Sequence, residues 1–179
     1  MSALPAIARG SGAAGVHLVP DDSYLAAVQQ LMRSARHRLL CSVFIVDLTP
    51  TDGGQFVVDD LLLLMAEASW RGADVRLLVG GSRDNIALAQ TADAARARAQ
   101  SLGLPCLWLS SRPVRGSHCK IVVADDALLT GSHNWSPGAL AGAHQIQDSL
   151  CVWSPAVAQM AAHRFQRQWA RAGGEHVAL

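Results

Sequence analysis

The run Leu39–Val46 (LLCSVFIV) is apolar on both of the faces that a strand alternates between, and no other stretch restricts the fold as strongly. A strand of this kind is buried in a sheet and needs cover on both sides. The loop after it, Asp47-Leu-Thr-Pro-Thr-Asp-Gly-Gly, is rich in residues that break regular structure. Val57–Trp70 then reads as a helix stopping before Gly72, Ala73–Val79 as the next strand, and Gly80-Gly81-Ser82 as the turn after it. Strand, helix, strand is the rhythm of an α/β sheet.

The flanking segments extend that rhythm. Val16–Val19 is a short strand ending at Pro20, and Asp21, Asp22 and Ser23 offer helix N-cap chemistry. Tyr24, Leu25, Val28, Leu31, Met32 and Ala35 follow at helical spacing, with Arg36, His37 and Arg38 at the end, where cations suit the helix dipole. Asp84–Leu102 is an Ala-rich helix with Arg96 and Arg98 on a solvated face, and Leu104–Leu109 is a strand. Near the C-terminus, Asp148–Trp153 is a strand and Ser154-Pro155 opens a helix with Ser as cap and Pro at its first position. Val157, Ala161, Phe165 and Trp169 mark the expected buried stripe of that helix. The order predicts an α/β fold, a mixed sheet sandwiched between helices. At 179 residues, half of them apolar, the chain suits one domain over 16–171, with residues 1–15 and 172–179 as flexible ends.

Net charge is only +1, so the chain is not of the strongly basic type that coats nucleic acid, and any polyanion site must be local. Neither a secretory signal nor a run of about 18 apolar residues occurs, so stable membrane insertion is not expected and the chain reads as cytoplasmic. Cys41, Cys106, Cys119 and Cys151 lack metal-ligand spacing and read as small buried hydrophobes. Neither metal nor cofactor is expected. Gly80-Gly81-Ser82-Arg83 lacks the spacing of a phosphate-cradling loop and reads as a plain turn, with Arg83 available to a substrate rim.

Function concentrates in Arg115–Ser136 (RGSHCKIVVADDALLTGSHNWS). If Cys119–Ala124 is a strand, His118 and Lys120 share a face. Asp125–Ala127 is the turn of a hairpin, and pairing about it places Ser132 and Asn134 across from His118 and Lys120. One imidazole, one ammonium, one hydroxyl and one amide then converge, which suits a phosphodiester: the ammonium and amide hold non-bridging oxygens while a neutral imidazole attacks phosphorus. The chain contains 14 arginines and a single lysine, Lys120, so a compact point charge is specifically kept beside the histidine. Arg112 and Arg115 lie close enough to meet a further anionic group, and Trp135 can wall the pocket or stack on a base.

His118-x-Lys120, then Asp125, then Gly131-Ser132-x-Asn134, resembles the HKD motif of the phospholipase D superfamily, which includes phospholipases, nucleases that need no metal and phosphatidyl transferases. The resemblance implies an α/β/α sandwich with one motif per chain. It further implies that His118 is the nucleophile forming a phosphohistidine, that Lys120 and Asn134 bind phosphate, and that Asp125 supports this catalytic set. Gly131, Ser132, Arg115 and Trp135 are the expected substrate-binding residues. The sequence departs from the pattern in three ways. The spacer Asp126–Thr130 is one residue short, and the Glu that orients the histidine is replaced by Gln147 or Asp148, of which the carboxylate of Asp148 is the better electrostatic partner. The third departure is that one motif occurs where the family works with two. A homodimer completing one site with two His118 side chains is therefore expected.

The resemblance leaves three readings: a phosphodiesterase acting on nucleic acid, a hydrolase of phospholipid head groups, and a catalytically weak binding or scaffold protein. The arginines near His118 favour the first.

Overall fold

The computed structural model describes residues 15–111, 115–141 and 146–175. Arg112 and Gln145, like most of the two expected flexible ends, lie outside them. In chain order the elements are β1 (Gly15–Pro20), α1 (Asp21–Ser34), β2 (Arg38–Val43), α2 (Val57–Trp70), β3 (Asp74–Val79), α3 (Ile86–Ser101), β4 (Cys106–Trp108), β5 (Lys120–Ala124), β6 (Ala127–Gly131), α4 (Pro137–Leu140), β7 (Asp148–Trp153) and α5 (Pro155–Arg171). The strands form one mixed sheet in the order β1-β7-β6-β5-β2-β3-β4. Strands β2, β3 and β4 are parallel, and β5 joins β2 antiparallel.

Strand β2 is buried on both faces, as its composition requires. Leu39, Cys41 and Val43 join the core under α1, α2 and α3, whereas Leu40 packs with Leu78, Val123 and the α5 residues Ala158, Ala162, Phe165 and Trp169. The α5 stripe thus runs through Ala158, Ala162, Phe165 and Trp169, with Ala161 packed at its margin; of the four expected positions only Val157 lies off it. Each fully buried Leu or Phe contributes roughly 1.5–3 kcal/mol.

Helix α1 begins at Asp21 itself, with Pro20 as N-cap and no side-chain cap, so the acidic pair lies inside the first turn. Arg98 is not on a solvated face. Its guanidinium donates to both carboxylate oxygens of Asp59 at 2.6 and 2.9 Å, tying α3 to α2. Arg76, buried between β3 and α5, pairs with Asp74 at 2.8 Å and donates to Gln166.

The turn between β5 and β6 holds the sheet to α1. Asp125 has a left-handed φ of 48°, which an Asp tolerates better than most residues. Its carboxylate accepts backbone N–H bonds from Arg36, His37 and Arg38 at 2.8–3.0 Å. Partial burial pushes this carboxyl up, but the three donors outweigh it and hold the group below its ordinary range. Residues 36–38 thus serve through their backbone N–H groups, and the Arg36 guanidinium also donates to the Arg33 and Ala35 carbonyls at the end of α1, as expected of a cation there. Replacing Asp125 by Ala should lower unfolding stability by about 2 kcal/mol at pH 7, measured by urea denaturation. Because the folded pKa is the lower one, the difference between wild type and variant should be present above pH about 4 and disappear below it.

Candidate active site

The first residue of β5, Lys120, pairs with Val43, the last of β2, so His118 stands just beyond the carboxyl ends of the parallel strands. Open α/β sheets bind ligands at that end. Gly80 lets the segment before β5 approach: a Cβ there would clash with the Ser117 carbonyl and with Phe44 Cα. Below it, Ser42 and Ser117 share a hydroxyl hydrogen bond of 3.1 Å, and Gln168 of α5 donates to Cys119 Sγ at 3.4 Å.

His118 and Lys120 come together. Lys120 Nζ lies 3.1 Å from His118 Nδ1 and donates to the His118 carbonyl at 3.2 Å. Phe44, which the sequence reading took only as part of the buried run, seats both groups. Its ring centroid is 4.2 Å from that of His118 and 5.0 Å from Lys120 Nζ. Partial burial lowers the Lys120 pKa. An ammonium donating to Nδ1 leaves the proton of a neutral imidazole on Nε2.

The hairpin register differs from the expected one. Ile121 pairs with Thr130 and Ala124 with Ala127, so continuing the ladder sets Gly131, not Ser132, across from Lys120. The turn comprises two residues, Asp125 and Asp126, and this short connection shifts the pairing by one. Gly131 is needed because a Cβ would clash with Ser149 Oγ and the Asp148 carbonyl. Ser132 is exposed, and its N–H and hydroxyl both donate to the Asp148 carbonyl, at 3.1 and 3.3 Å. Beyond it the chain bridges to the segment after β2, with Trp135 N–H donating to the Ile45 carbonyl. Asn134 Oδ1 accepts from Ile45 N–H at 3.3 Å, one residue from Phe44. Asn134 is thereby brought to the same corner as His118 and Lys120, without a direct bond to either.

Three expected roles change. Asp125 lies at the far end of β5, roughly 17 Å along the strand from Lys120, and belongs to the frame rather than the reacting set. Trp135 is fully buried, with its indole N–H 3.3 Å from the Tyr24 hydroxyl, so it neither walls a pocket nor stacks on a base. Asp148 is exposed, and strand alternation sends its side chain away from the face shared by Ser149, Gly131 and Lys120. Gln147 falls on that face instead, its backbone N–H held by Asp21 Oδ1 at 2.9 Å. Neither side chain bonds to His118 among the described residues.

The sequence reading passed over two features. His133 is wholly buried, stacked on Tyr24 at 4.1 Å, with Nδ1 2.8 Å from Ser149 Oγ and Nε2 3.3 Å from Asp21 Oδ1. Burial lowers its pKa although Asp21 pulls the other way. Its signal lay in Gly131-Ser-His-Asn134, where alternation sends His133 inward. The second is a cleft of about 550 Å³ beside His118, lined by Arg115, Ser117, Arg164, Arg167, Gln168 and Arg171 among others. Arg164, Arg167 and Arg171 recur at helical spacing, which the sequence displays. All four cysteines are free, and burial pushes the thiols of Cys106 up to about 12 and Cys151 up to about 11. Among the described residues, no group of three or more His, Cys, Asp or Glu side chains is placed to hold a metal ion. No described helix is long and apolar enough to cross a membrane.

Residues 28–169 match the family model described as cardiolipin synthase, PLD-like domain. Solved structures of the same fold include the phospholipase D family member Nuc from Salmonella typhimurium, 20% identical, with a TM-score of 0.68 over 88% of this chain and 95% of that one. NucT from Helicobacter pylori is 14% identical, with a TM-score of 0.63 over 88% and 97% of the two chains. Phosphatidylserine synthase from Haemophilus influenzae is 18% identical, at 0.63 over 83% of this chain and 35% of that one. At these identities the likeness concerns the fold. Among curated proteins, none matches the chain.

Two outcomes test these placements. Trp135→Ala should cost about 3–5 kcal/mol of unfolding stability, as for a core aromatic. The folded protein keeps His133 neutral below the ordinary imidazole pKa of about 6.5, so it binds fewer protons than the unfolded chain and loses stability as pH falls below that value. The midpoint of thermal unfolding should drop between pH 7.5 and 5.5, and His133→Gln should flatten that dependence.

Proposed function

The chain belongs to the phospholipase D-like family, whose domains are phosphodiesterase-type enzymes, and we propose that it is a metal-independent phosphodiesterase working through a phosphohistidine on His118, with a nucleic acid backbone as substrate. The observation that carries this reading is the His118–Lys120 pair, 3.1 Å apart, seated on Phe44 at the carboxyl end of the sheet. An imidazole beside an ammonium can attack phosphorus and offset the charge on its oxygens.

On this reading a substrate phosphate draws the Lys120 ammonium from Nδ1 to a non-bridging oxygen, and the Asn134 amide adds a second donor. Released from that contact, the ring takes up the tautomer with a free Nε2, which attacks in line. The phosphorus–nitrogen bond forms as the phosphorus–oxygen bond breaks, and the leaving oxygen takes its proton from the partner's His118. That same histidine then deprotonates a water, which displaces Nε2 and frees the phosphate monoester. Two inversions give retention at phosphorus. One motif per chain makes a twofold dimer part of the proposal.

A phospholipid substrate would call for an apolar entry, whereas the cleft beside His118 is bordered by arginines. In excess EDTA, the intact protein should hydrolyse a chromogenic phosphodiester, with activity following the dimer in sedimentation. His118→Ala should lower turnover by at least about 10³-fold. Turnover abolished by EDTA, or surviving in the variant, would sink the mechanism.

A further inference from the structure

Helix α5 carries a charge pattern that the chemistry at His118 does not use. Between Pro155 and Arg171 it contains Arg164, Arg167 and Arg171 but no Asp or Glu. Spacings of three and four put these arginines on one stripe, and the packing of Ala158, Ala162, Phe165 and Trp169 against the sheet turns that stripe towards the cleft. Arg115 lines the same cleft, and no carboxylate of a described residue does. Four of the chain's 15 Lys and Arg residues thus surround one opening in a molecule of net charge +1.

These four guanidinium groups make no hydrogen bond or ion pair to another described residue. By contrast, Arg76, Arg96 and Arg98 are each paired with an Asp. Unpaired like charges gathered in one concavity repel one another and concentrate field lines there, a cost that a bound polyanion offsets. His118 lines the cleft at one end while Lys120 and Asn134 do not, so the cleft leads away from the attacked phosphorus rather than enclosing the whole reacting set.

We propose that the cleft is a phosphate track, in which Arg164, Arg167 and Arg171, together with Arg115, hold the backbone phosphates of a polynucleotide next to the one attacked. The proposal rests on the phosphodiesterase reading and narrows its substrate class. At about 1.5 Å of rise per residue the stripe spans roughly 10.5 Å, and a strand carries one phosphate per roughly 3.4 Å of helix axis, so about three phosphates fit along it. Guanidinium forks take phosphate oxygens in pairs, which a lysine would not do. A phospholipid head group offers too few phosphates to occupy such a track.

The test compares the full-length protein with the double variant Arg167→Gln/Arg171→Gln, using a fluorescent single-stranded oligonucleotide over a salt series. Loss of two phosphate contacts should reduce the slope of log affinity against log salt by about 1.4 and weaken binding at least about tenfold in 0.1 M salt. The kcat/KM for the oligonucleotide should fall at least about tenfold more than that for a chromogenic diester, with the effect in KM. Arg167→Lys/Arg171→Lys, which keeps the charge, should retain the salt slope and lose part of the affinity. An unchanged slope in the Gln variant, with folding verified by its thermal transition, would overturn the track. So would a variant that loses binding to phosphatidylglycerol vesicles while keeping the oligonucleotide. Failure of the wild type to cleave the chromogenic diester would refute the chemistry at His118 and leave the salt series to decide the track by itself.

Discussion

Three backbone N–H groups, those of residues 36–38, converge on the carboxylate of Asp125. The bond set closes a loop across 87–89 residues of chain and anchors the β5–β6 hairpin where α1 gives way to β2. Since β5 pairs with β2 from this anchored end, the opposite end of β5 is fixed as well, and Lys120 arrives beside Val43. An acid that touches nothing in the reacting cluster thereby determines where the cluster stands.

At that opposite end the chain is threaded through tight passages. Gly80 and Gly131 leave room for backbones that any side chain would push apart, one under Ser117 and the other against β7. Phe44 then gives the imidazole and the ammonium a common floor. The two faces of the sheet divide the work. Helices α1 to α3 cover the side that buries Tyr24, Trp135 and His133, while α5 covers the other and brings its arginines to the rim of the site.

Much of this was legible in the residue pattern. Val57–Trp70 and Asp148–Trp153 have the expected bounds because apolar periodicity and breaker residues coincide at both ends. The His118–Lys120 pair followed from strand alternation alone. The hairpin register did not, since a one-residue change in a turn reverses the facing of everything beyond it and leaves no trace in the apolar pattern. Trp135 was misread for a related reason: a tryptophan beside a loop looks accessible until the chain is seen crossing back to bridge Val46. The α5 arginines were visible as a spacing, but only the packing of Phe165 and Trp169 settles which way that spacing points.

Lys120 is the only side-chain amine in the protein, and partial burial leaves more of it uncharged at neutral pH than an ordinary lysine. Reagents that acylate amines therefore have one side-chain target, and that target touches the histidine. Chemical labelling, usually a census of the surface, becomes for this chain a reading of whether its site is empty or filled.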